Sequence, residues 1–348
     1  MQGAMTRPFE LGLDTFGDSS TLPSGGLASH AQVLREVVEQ AVLADEVGLD
    51  FFGLGEHHRD DFAISAPEVL LGVLAAKTRR LKLGTAVTVL STDDPIRVFQ
   101  RFSTLAALSD GRAEVILGRG SFTESFPLFG FDRRDYDLLF EEKLELFAEV
   151  RKQGRVRWEG QHRPMVDVAA VVPAVEGGLL PTWVGVGGTP QSVVRAARYG
   201  FSLMLAIIGG DPGRFAPHVE LFFEALEEHG HPRQPVGVHA PGHVAETDAR
   251  ARQELWPHYY EQRTRIGGER GWPPPTRAQF ELEADRGAVF VGSPETVAAR
   301  IIATARRLRL SRFDLKYANG AMDHATLLRG IELLGTKVAP LVRSALAG

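Results

Sequence analysis

Two imidazoles and a carboxylate follow directly after a short apolar segment of the chain. Residues 49–54 are mostly apolar, and Glu56, His57 and His58 come next after a single glycine. A strand that is buried on both faces is apolar throughout, and polar residues at its end lie at the tip of the sheet. Imidazole gains and loses protons near neutral pH. We therefore take Glu56, His57 and His58 as candidate catalytic residues, with a solvated surface loop as the alternative.

A glycine-rich turn after another apolar segment has the features of a phosphate site. Glycine lets a ligand approach the backbone, and the first turn of a helix offers free N–H groups and the positive end of the helix dipole. Pro190 stands where a dinucleotide fingerprint has its third glycine, so the turn is not of that type. A turn that is glycine-rich only because it is tight is the alternative. The candidate ligands are Gly187, Gly188, Thr189, Gln191 and Ser192.

Arg119 lies between two glycines just beyond a further apolar segment. Its guanidinium has the fork geometry that pairs with two phosphate oxygens, and the glycines leave it accessible. A surface arginine paired with a nearby acid is the alternative. The position at the end of a predicted strand favours the phosphate role.

Composition narrows the possible chemistry. The 348 residues include no cysteine, which excludes disulfides, thiolate metal ligands and a cysteine nucleophile. Adjacent residues at a strand end point to opposite sides and the HExxH spacing is absent, so we expect no metal at His57 and His58. A formal net charge of -5 offers no basic surface for nucleic acid.

No segment of the sequence predicts contact with a membrane. The longest apolar run, residues 203–208, is far too short to span a bilayer. The first ten residues lack the apolar core of a secretory leader. We therefore expect a cytoplasmic protein with no membrane partner.

The elements that position these residues alternate between strand and helix. Helix starts are marked where Asp94, Thr189, Asp211 and Ser293 each precede a proline. Eight apolar segments between the helices favour a closed (β/α)8 TIM barrel over an open doubly wound sheet. We expect one domain over residues 1–348, with insertions at roughly 154–181 and 257–287 that suit lids or binding loops. The predicted strands are residues 9–13, 51–55, 81–90, 113–118, 182–187, 201–208, 236–244 and 313–317.

Taken in order, these segments resemble the bacterial-luciferase-like, flavin-dependent monooxygenases. The resemblance covers about residues 9–342 and depends on the order of the motifs more than on any one of them. It implies a luciferase-like barrel that uses reduced FMN, delivered by a separate flavin reductase, and molecular oxygen to oxygenate a small organic substrate through a flavin hydroperoxide. We also expect a homodimer. The motifs are residues 56–58, 83–92, 118–120, 187–192 and 291–295.

The resemblance implies roles for individual residues. Ala86 and Val87 match the family's non-prolyl cis peptide beneath the flavin ring. Arg119 matches the arginine that binds the flavin phosphate, and Thr189 and Ser192 match phosphate-binding hydroxyls.

His57 matches the histidine that handles the proton of the peroxyflavin, a role for which we expect a pKa near neutral. Gly118 and Gly188 depart from luciferase itself, which has a cysteine and a glutamate there, so light emission is not implied. Two alternatives remain: a deazaflavin-dependent hydride-transfer enzyme of the same superfamily, and a flavin-binding barrel without turnover. The sequence does not identify the substrate.

Overall fold

The computed structural model describes residues 8–347, and its main feature is a barrel of parallel strands surrounded by helices, as the sequence predicts. Most barrel strands are buried along their whole length, because helices cover them outside and side chains fill the interior. The strands are β1 (Glu10–Thr15), β2 (Phe51–Leu54), β3 (Lys82–Thr85), β4 (Thr88–Val89), β5 (Val115–Gly118), β6 (Val156–Trp158), β7 (Val166–Val168), β8 (Thr182–Val186), β9 (Ser202–Ala206), β10 (Val236–Val244), β11 (Phe290–Gly292) and β12 (Arg312–Lys316).

The helices lie between the strands and pack around the barrel. Asp94 and Ser293 cap helix starts by accepting backbone N–H groups, as the sequence predicts, whereas Asp211 caps a 3₁₀ turn, Pro212–Phe215, that precedes a helix. The helices are α1 (His30–Glu46), α2 (Pro67–Lys77), α3 (Pro95–Leu108), α4 (Ser125–Leu128), α5 (Tyr136–Arg151), α6 (Pro190–Arg198), α7 (Ala216–Glu228), α8 (Asp248–Arg270), α9 (Arg277–Arg286), α10 (Pro294–Leu308), α11 (His324–Leu333) and α12 (Ala339–Leu346). Within residues 8–347, no helix is both long and apolar enough to cross a membrane.

The strand order closes the sheet almost completely. Neighbouring strands run in the order β3-β2-β1-β12-β10-β9-β8-β5-β4, and each neighbouring pair is parallel. A single bridge between Leu83 and Ala113 joins β3 to the start of the β5 segment. The carboxyl ends of all barrel strands therefore meet at one face, which is where barrel enzymes place their active sites.

All eight predicted strands are present, with two differences. The segment predicted as one strand, residues 81–90, is two short strands, β3 and β4, interrupted at Ala86 and Val87. In addition, the sequence does not predict strand β11, which pairs with β10 beside the barrel. Three residues of strand are too few to show a period.

The two predicted insertions are more ordered than expected. Residues 154–181 contain the antiparallel hairpin of β6 and β7. The prediction of an irregular segment at 257–287 is wrong, because most of it belongs to α8 and α9. Helix α8 buries only Ala251, Leu255 and Gly267, so it lacks the apolar stripe by which an amphipathic helix is recognised.

Candidate active site

A cavity of about 420 Å³ opens at the carboxyl ends of the barrel strands. Helix α8 covers part of its mouth through Gln262, Arg263, Ile266 and Arg270. Seven of the residues predicted for the site line the cavity: Glu56, His57, His58, Ala86, Val87, Arg119 and Gly187. The other four, Gly188, Thr189, Gln191 and Ser192, lie at the start of α6 and do not line it.

His57 lies in an aromatic cage. Its ring centroid is 4.4 Å from that of Phe16, 4.6 Å from Phe62 and 5.2 Å from Phe122. Burial among these rings, with the nearby Lys316 ammonium as a smaller cause, lowers the pKa of His57 to about 3. The expectation of a near-neutral pKa at His57 is therefore wrong, and the imidazole is uncharged at neutral pH.

Glu56 and His58 hold the loop after β2 together. One carboxylate oxygen of Glu56 lies 3.0 Å from His58 Nε2, and the other accepts the backbone N–H of Val89 at 2.9 Å. The rings of His58 and Phe129 also meet edge to face, with their centroids 5.0 Å apart. Both oxygens of Glu56 are thus occupied, which suits it to positioning more than to proton transfer. Among the described residues, no cluster of three or more acidic or histidine side chains could hold a metal ion.

The peptide bond between Ala86 and Val87 is cis, as the resemblance implies. Val87 projects towards two glycines on neighbouring strands. A β-carbon at Gly118 would lie 2.5 Å from Val87 Cγ2, and one at Gly185 would lie 2.9 Å from Val87 Cγ1. Both glycines are therefore required by the close approach of this side chain at the cavity wall.

Arg119 connects the cavity to the start of α6. Its Nη1 pairs with the exposed carboxylate of Asp137 at 2.6 Å, and its Nη2 donates to the Ser192 hydroxyl at 3.3 Å. The Thr189 hydroxyl donates to the same Ser192 oxygen at 2.8 Å. Arg195, which pairs with Glu141, also donates to the Ser192 hydroxyl, at 3.2 Å. Two hydroxyls and two guanidiniums thus converge at a helix N-terminus, an arrangement that favours an anion.

The remaining predicted ligands differ in placement. Gly188 has φ of +108°, a conformation that favours glycine. Gln191 is exposed, and its side chain makes no hydrogen bond within residues 8–347. Its backbone N–H lies in the first helical turn, where N–H groups lack helical partners.

The sequence does not predict the polar groups that β1, β10 and β12 contribute to the cavity. Asp14 Oδ2 lies 2.7 Å from His239 Nδ1, and the buried Lys316 donates to both oxygens of Asp18 at 2.9 Å. Burial raises the pKa of the Asp18 carboxyl. These residues come from three strands and a loop and form no local motif. One feature of the sequence does indicate them: a charged or imidazole side chain inside an otherwise apolar strand requires a polar partner when it is buried.

An ion-pair cluster fastens α8 over the cavity mouth. Arg59 forms a bidentate pair with Glu269 of α8 at 2.6 and 2.9 Å, and also pairs with Asp61 and Glu124. The hydrogen bonds that Arg59 donates to Glu269 are the main cause that raises the pKa of Arg59 above its usual value. Arg270 donates to the Ser121 carbonyl at 3.2 Å. Ion pairs and a hydrogen bond thus fix the end of α8, which has no apolar face to pack on the barrel.

Comparison with known protein families identifies the class of protein to which the chain belongs. The model of the luciferase-like monooxygenase family matches residues 15–311, and the chain belongs to this family. The chain is 33% identical over 192 residues to the N-acetyl-S-alkylcysteine monooxygenase of Bacillus subtilis, covering 54% of the chain and 55% of that protein. It is 28% identical over 204 residues to the alkanal monooxygenase alpha chain of Photorhabdus luminescens, covering 58% and 56%. Each match thus spans about half of the relative.

Solved structures share the fold over nearly the whole chain. A monooxygenase from Streptomyces bottropensis has a TM-score of 0.82 at 22% identity, covering 95% of this chain and 99% of that one. The oxygenating constituent of 3,6-diketocamphane monooxygenase from Pseudomonas putida, in complex with FMN, has a TM-score of 0.78 at 20% identity, covering 96% and 99%. The coenzyme F420-dependent tetrahydromethanopterin reductase of Methanopyrus kandleri has a TM-score of 0.71 at 16% identity, covering 96% and 99%. The fold therefore accommodates both oxygenases and reductases.

Proposed function

We propose that the protein is an FMN-dependent monooxygenase that uses reduced flavin and molecular oxygen to oxygenate a small organic substrate. The observation that carries the proposal is the convergence of Arg119 and Ser192 at the N-terminus of α6, directly beside the barrel cavity. A terminal phosphate there would leave the rest of a flavin pointing into a largely apolar space. The family includes oxygenases that act on alkanals and on N-acetyl-S-alkylcysteines, so a small organic substrate fits the same plan.

The residues present fit a flavin. Arg119, Thr189 and Ser192 would hold the phosphate, with Arg119 exchanging Asp137 for the ligand. Val87 would support the ring from one side of the cavity. Reduced FMN, when bound, supplies the two electrons that activate oxygen.

The neutral imidazole of His57 has a narrower role than the resemblance alone suggests. With a pKa of about 3 it cannot store a proton at neutral pH, but it can donate or accept one hydrogen bond. Its ring makes no side-chain hydrogen bond within residues 8–347 and lines the cavity. Together with Phe16, Phe62 and Phe122 it would exclude water from the reacting oxygen and orient it.

The second candidate is a deazaflavin-dependent hydride-transfer enzyme, which the likeness in fold to the tetrahydromethanopterin reductase favours. A barrel that binds flavin without turnover is the third. Calorimetric titration with FMN, reduced FMN and a deazaflavin, followed by oxygen consumption, separates the three. We expect FMN binding and oxygen uptake; tight deazaflavin binding with no oxygen uptake would select the second candidate, and FMN binding without oxygen uptake the third.

The proposed partners are a separate flavin reductase and a second copy of the chain. Helix α2 exposes Val69 and Val73 on one face, with Ala76 beside them. An exposed apolar face of this kind favours association with another protein surface. We predict a homodimer that Val69→Glu shifts towards monomer in sedimentation velocity, while Leu282→Glu on α9, which also replaces an exposed leucine, leaves the dimer intact. Sedimentation of the wild-type protein as a monomer would refute the prediction.

We propose that the second half of α8, which covers part of the cavity mouth, is a lid, and its ion pairs predict how firmly that lid is closed. Glu269→Gln should raise hydrogen exchange in residues 262–272 roughly two- to fivefold, since a partly exposed pair contributes at most about 1 kcal/mol. Glu281→Gln breaks a pair with Arg252 on the outer part of α8 and should leave these amides unchanged. Equal effects of the two variants would show that Arg59 does not fasten the lid.

A further inference from the structure

A second imidazole lines the cavity and has what His57 lacks, a carboxylate partner. His239 Nδ1 lies 2.7 Å from Asp14 Oδ2. The Asp14 side chain is 0% exposed and that of His239 is 13% exposed. The carboxylate therefore lies behind the imidazole, and the imidazole is the member of the pair that a ligand can reach.

This geometry determines which nitrogen faces a ligand. An ionised carboxylate only accepts hydrogen bonds, so Nδ1 of His239 carries the hydrogen and Nε2 is left as an acceptor. The Nε2 atom has no hydrogen-bond partner among the described residues. A carboxylate behind one nitrogen also stabilises the imidazolium that forms when the other nitrogen takes a proton.

The two imidazoles of the cavity are separated by one aromatic ring. Phe16 stacks on His239 with centroids 6.1 Å apart and contacts His57 edge-on at 4.4 Å. Apolar rings surround His57, whereas Asp14 of β1 and Asp314 of β12 lie near His239. The other charged groups near it are Asp314, its register partner on β12, and Lys316, which pairs with Asp18. Asp314 pairs with Arg312 at 3.1 Å, and burial raises its pKa well above the usual value. Asp14 is the carboxylate within hydrogen-bond distance of the His239 ring.

We infer that His239 is the catalytic residue that accepts and returns the proton of the ligand in the cavity, with Asp14 as its positioning residue. With reduced flavin and oxygen bound, Nε2 would accept one of the two protons that the flavin loses, while the Nδ1–H stays hydrogen-bonded to Asp14. The imidazolium would then give that proton to oxygen, which takes two electrons from the flavin and leaves as hydrogen peroxide. The inference rests on the proposed flavin-dependent function. It assigns the proton-handling role to an imidazole that is separated from His57 by the ring of Phe16.

The resting state of the pair can be measured without flavin or substrate. In the ¹⁵N-labelled protein, long-range ¹H–¹⁵N spectra should show His239 as the Nδ1–H tautomer near neutral pH, with a strongly hydrogen-bonded ring proton. Asp14→Asn should remove that proton signal while leaving the His243 signals in place. An Nε2–H tautomer at His239 in the wild-type protein would overturn the inference.

The catalytic role is tested by the reaction of reduced FMN with oxygen on the protein. In the absence of substrate, the flavin passes two electrons and two protons to oxygen, giving oxidised flavin and hydrogen peroxide. The rate of flavin reoxidation should show one titration step that His239→Gln removes, with a rate at neutral pH lower by roughly 100-fold. Asp14→Asn should keep the step but lower the rate several-fold, because the His239 ring loses the partner that orients it.

His243→Gln is the matched control. His243 is on the same strand and also lies 2.7 Å from a carboxylate, that of Glu254, but it packs against the outer helices and does not line the cavity. This variant should retain the titration step. If His239→Gln folds, binds reduced FMN and keeps both the step and the rate, the inference fails while the proposed function stands. If the wild-type protein binds no flavin, the proposed function fails first, and the catalytic assignment of His239 fails with it.

Discussion

Arg119→Ala should weaken FMN binding by about 1.5 to 3 kcal/mol, or roughly 10- to 150-fold, without loss of the fold. Among the predicted phosphate ligands the Arg119 guanidinium is the one charged donor, and its removal leaves the Ser192 and Thr189 hydroxyls beside Arg195, which is already paired with Glu141. The fold should persist because the Arg119 side chain contacts an exposed carboxylate, a hydroxyl and the partly buried ring of Tyr136, all outside the hydrophobic core. Isothermal titration calorimetry with FMN measures the change.

Two further variants sharpen this prediction. Asp137→Asn should tighten FMN binding several-fold, because the carboxylate that competes with the phosphate for Arg119 is lost. Arg134→Ala, which removes an exposed arginine that pairs only with Asp132 nearby, should have no effect. Opposite signs at Arg119 and Asp137 cannot arise from general destabilisation. An unchanged FMN affinity in folded Arg119→Ala would remove this arginine from the phosphate site.

His57→Gln should make the stability of the protein less sensitive to acid. The pKa of His57 is about 3 in the folded protein against a usual value of 6.5, so the unfolded state binds more protons at His57 between these values. The free energy of unfolding therefore falls as the pH drops through this window, by up to about 1.4 kcal/mol per pH unit. Glutamine cannot take up that proton.

The comparison is made by urea unfolding at pH 7.5 and pH 5. The wild-type protein should lose about 1 to 2 kcal/mol more stability over this interval than His57→Gln, since only the range below pH 6.5 contributes. His229→Gln, which removes an exposed imidazole, controls for the loss of a histidine as such. Parallel losses in wild type and His57→Gln would show that the aromatic cage does not keep His57 neutral.

The barrel could be predicted because its signal is local and repeated. Each strand is a short apolar run between helix starts, and burial on both faces leaves little room for other interpretations of a segment such as 236–244. The break at Ala86 and Val87 has no such signal. It was expected only through the resemblance to a family, and no property of these two small residues indicates it.

Helix α8 shows where local pattern fails. It contains Pro257 and few buried residues, so neither propensity nor periodicity predicts a helix over its second half. Its stability comes from contacts distant in sequence, including Arg59 with Glu269 and the packing of Trp256 and Tyr259 on Phe280. Such contacts are fixed by the fold and are not visible in a window of the sequence.

The pairing of Asp14 with His239 also depends on contacts that are distant in sequence. Glu56, His57 and His58 attract attention because they are adjacent, but their environments differ, and the cage around His57 is built from residues 16, 62 and 122. Asp14 and His239 are 225 positions apart and meet only because their strands lie on either side of β12. Sequence identifies which residue types are present, whereas the barrel determines which of them share a wall.

Transfer of oxygen from O₂ to an organic molecule tests the central claim most directly. The protein, reduced FMN and a cell extract as substrate pool are incubated under ¹⁸O₂ and under ¹⁶O₂, with a parallel series of alkanals and N-acetyl-S-alkylcysteines as defined substrates. If the protein is an FMN-dependent monooxygenase, at least one substrate should gain one oxygen atom, and that atom should carry the ¹⁸O label under ¹⁸O₂. The Arg119→Ala variant should form much less of this product at limiting FMN. Products formed equally under argon, or oxygen atoms that come from water and not from O₂, would contradict the account.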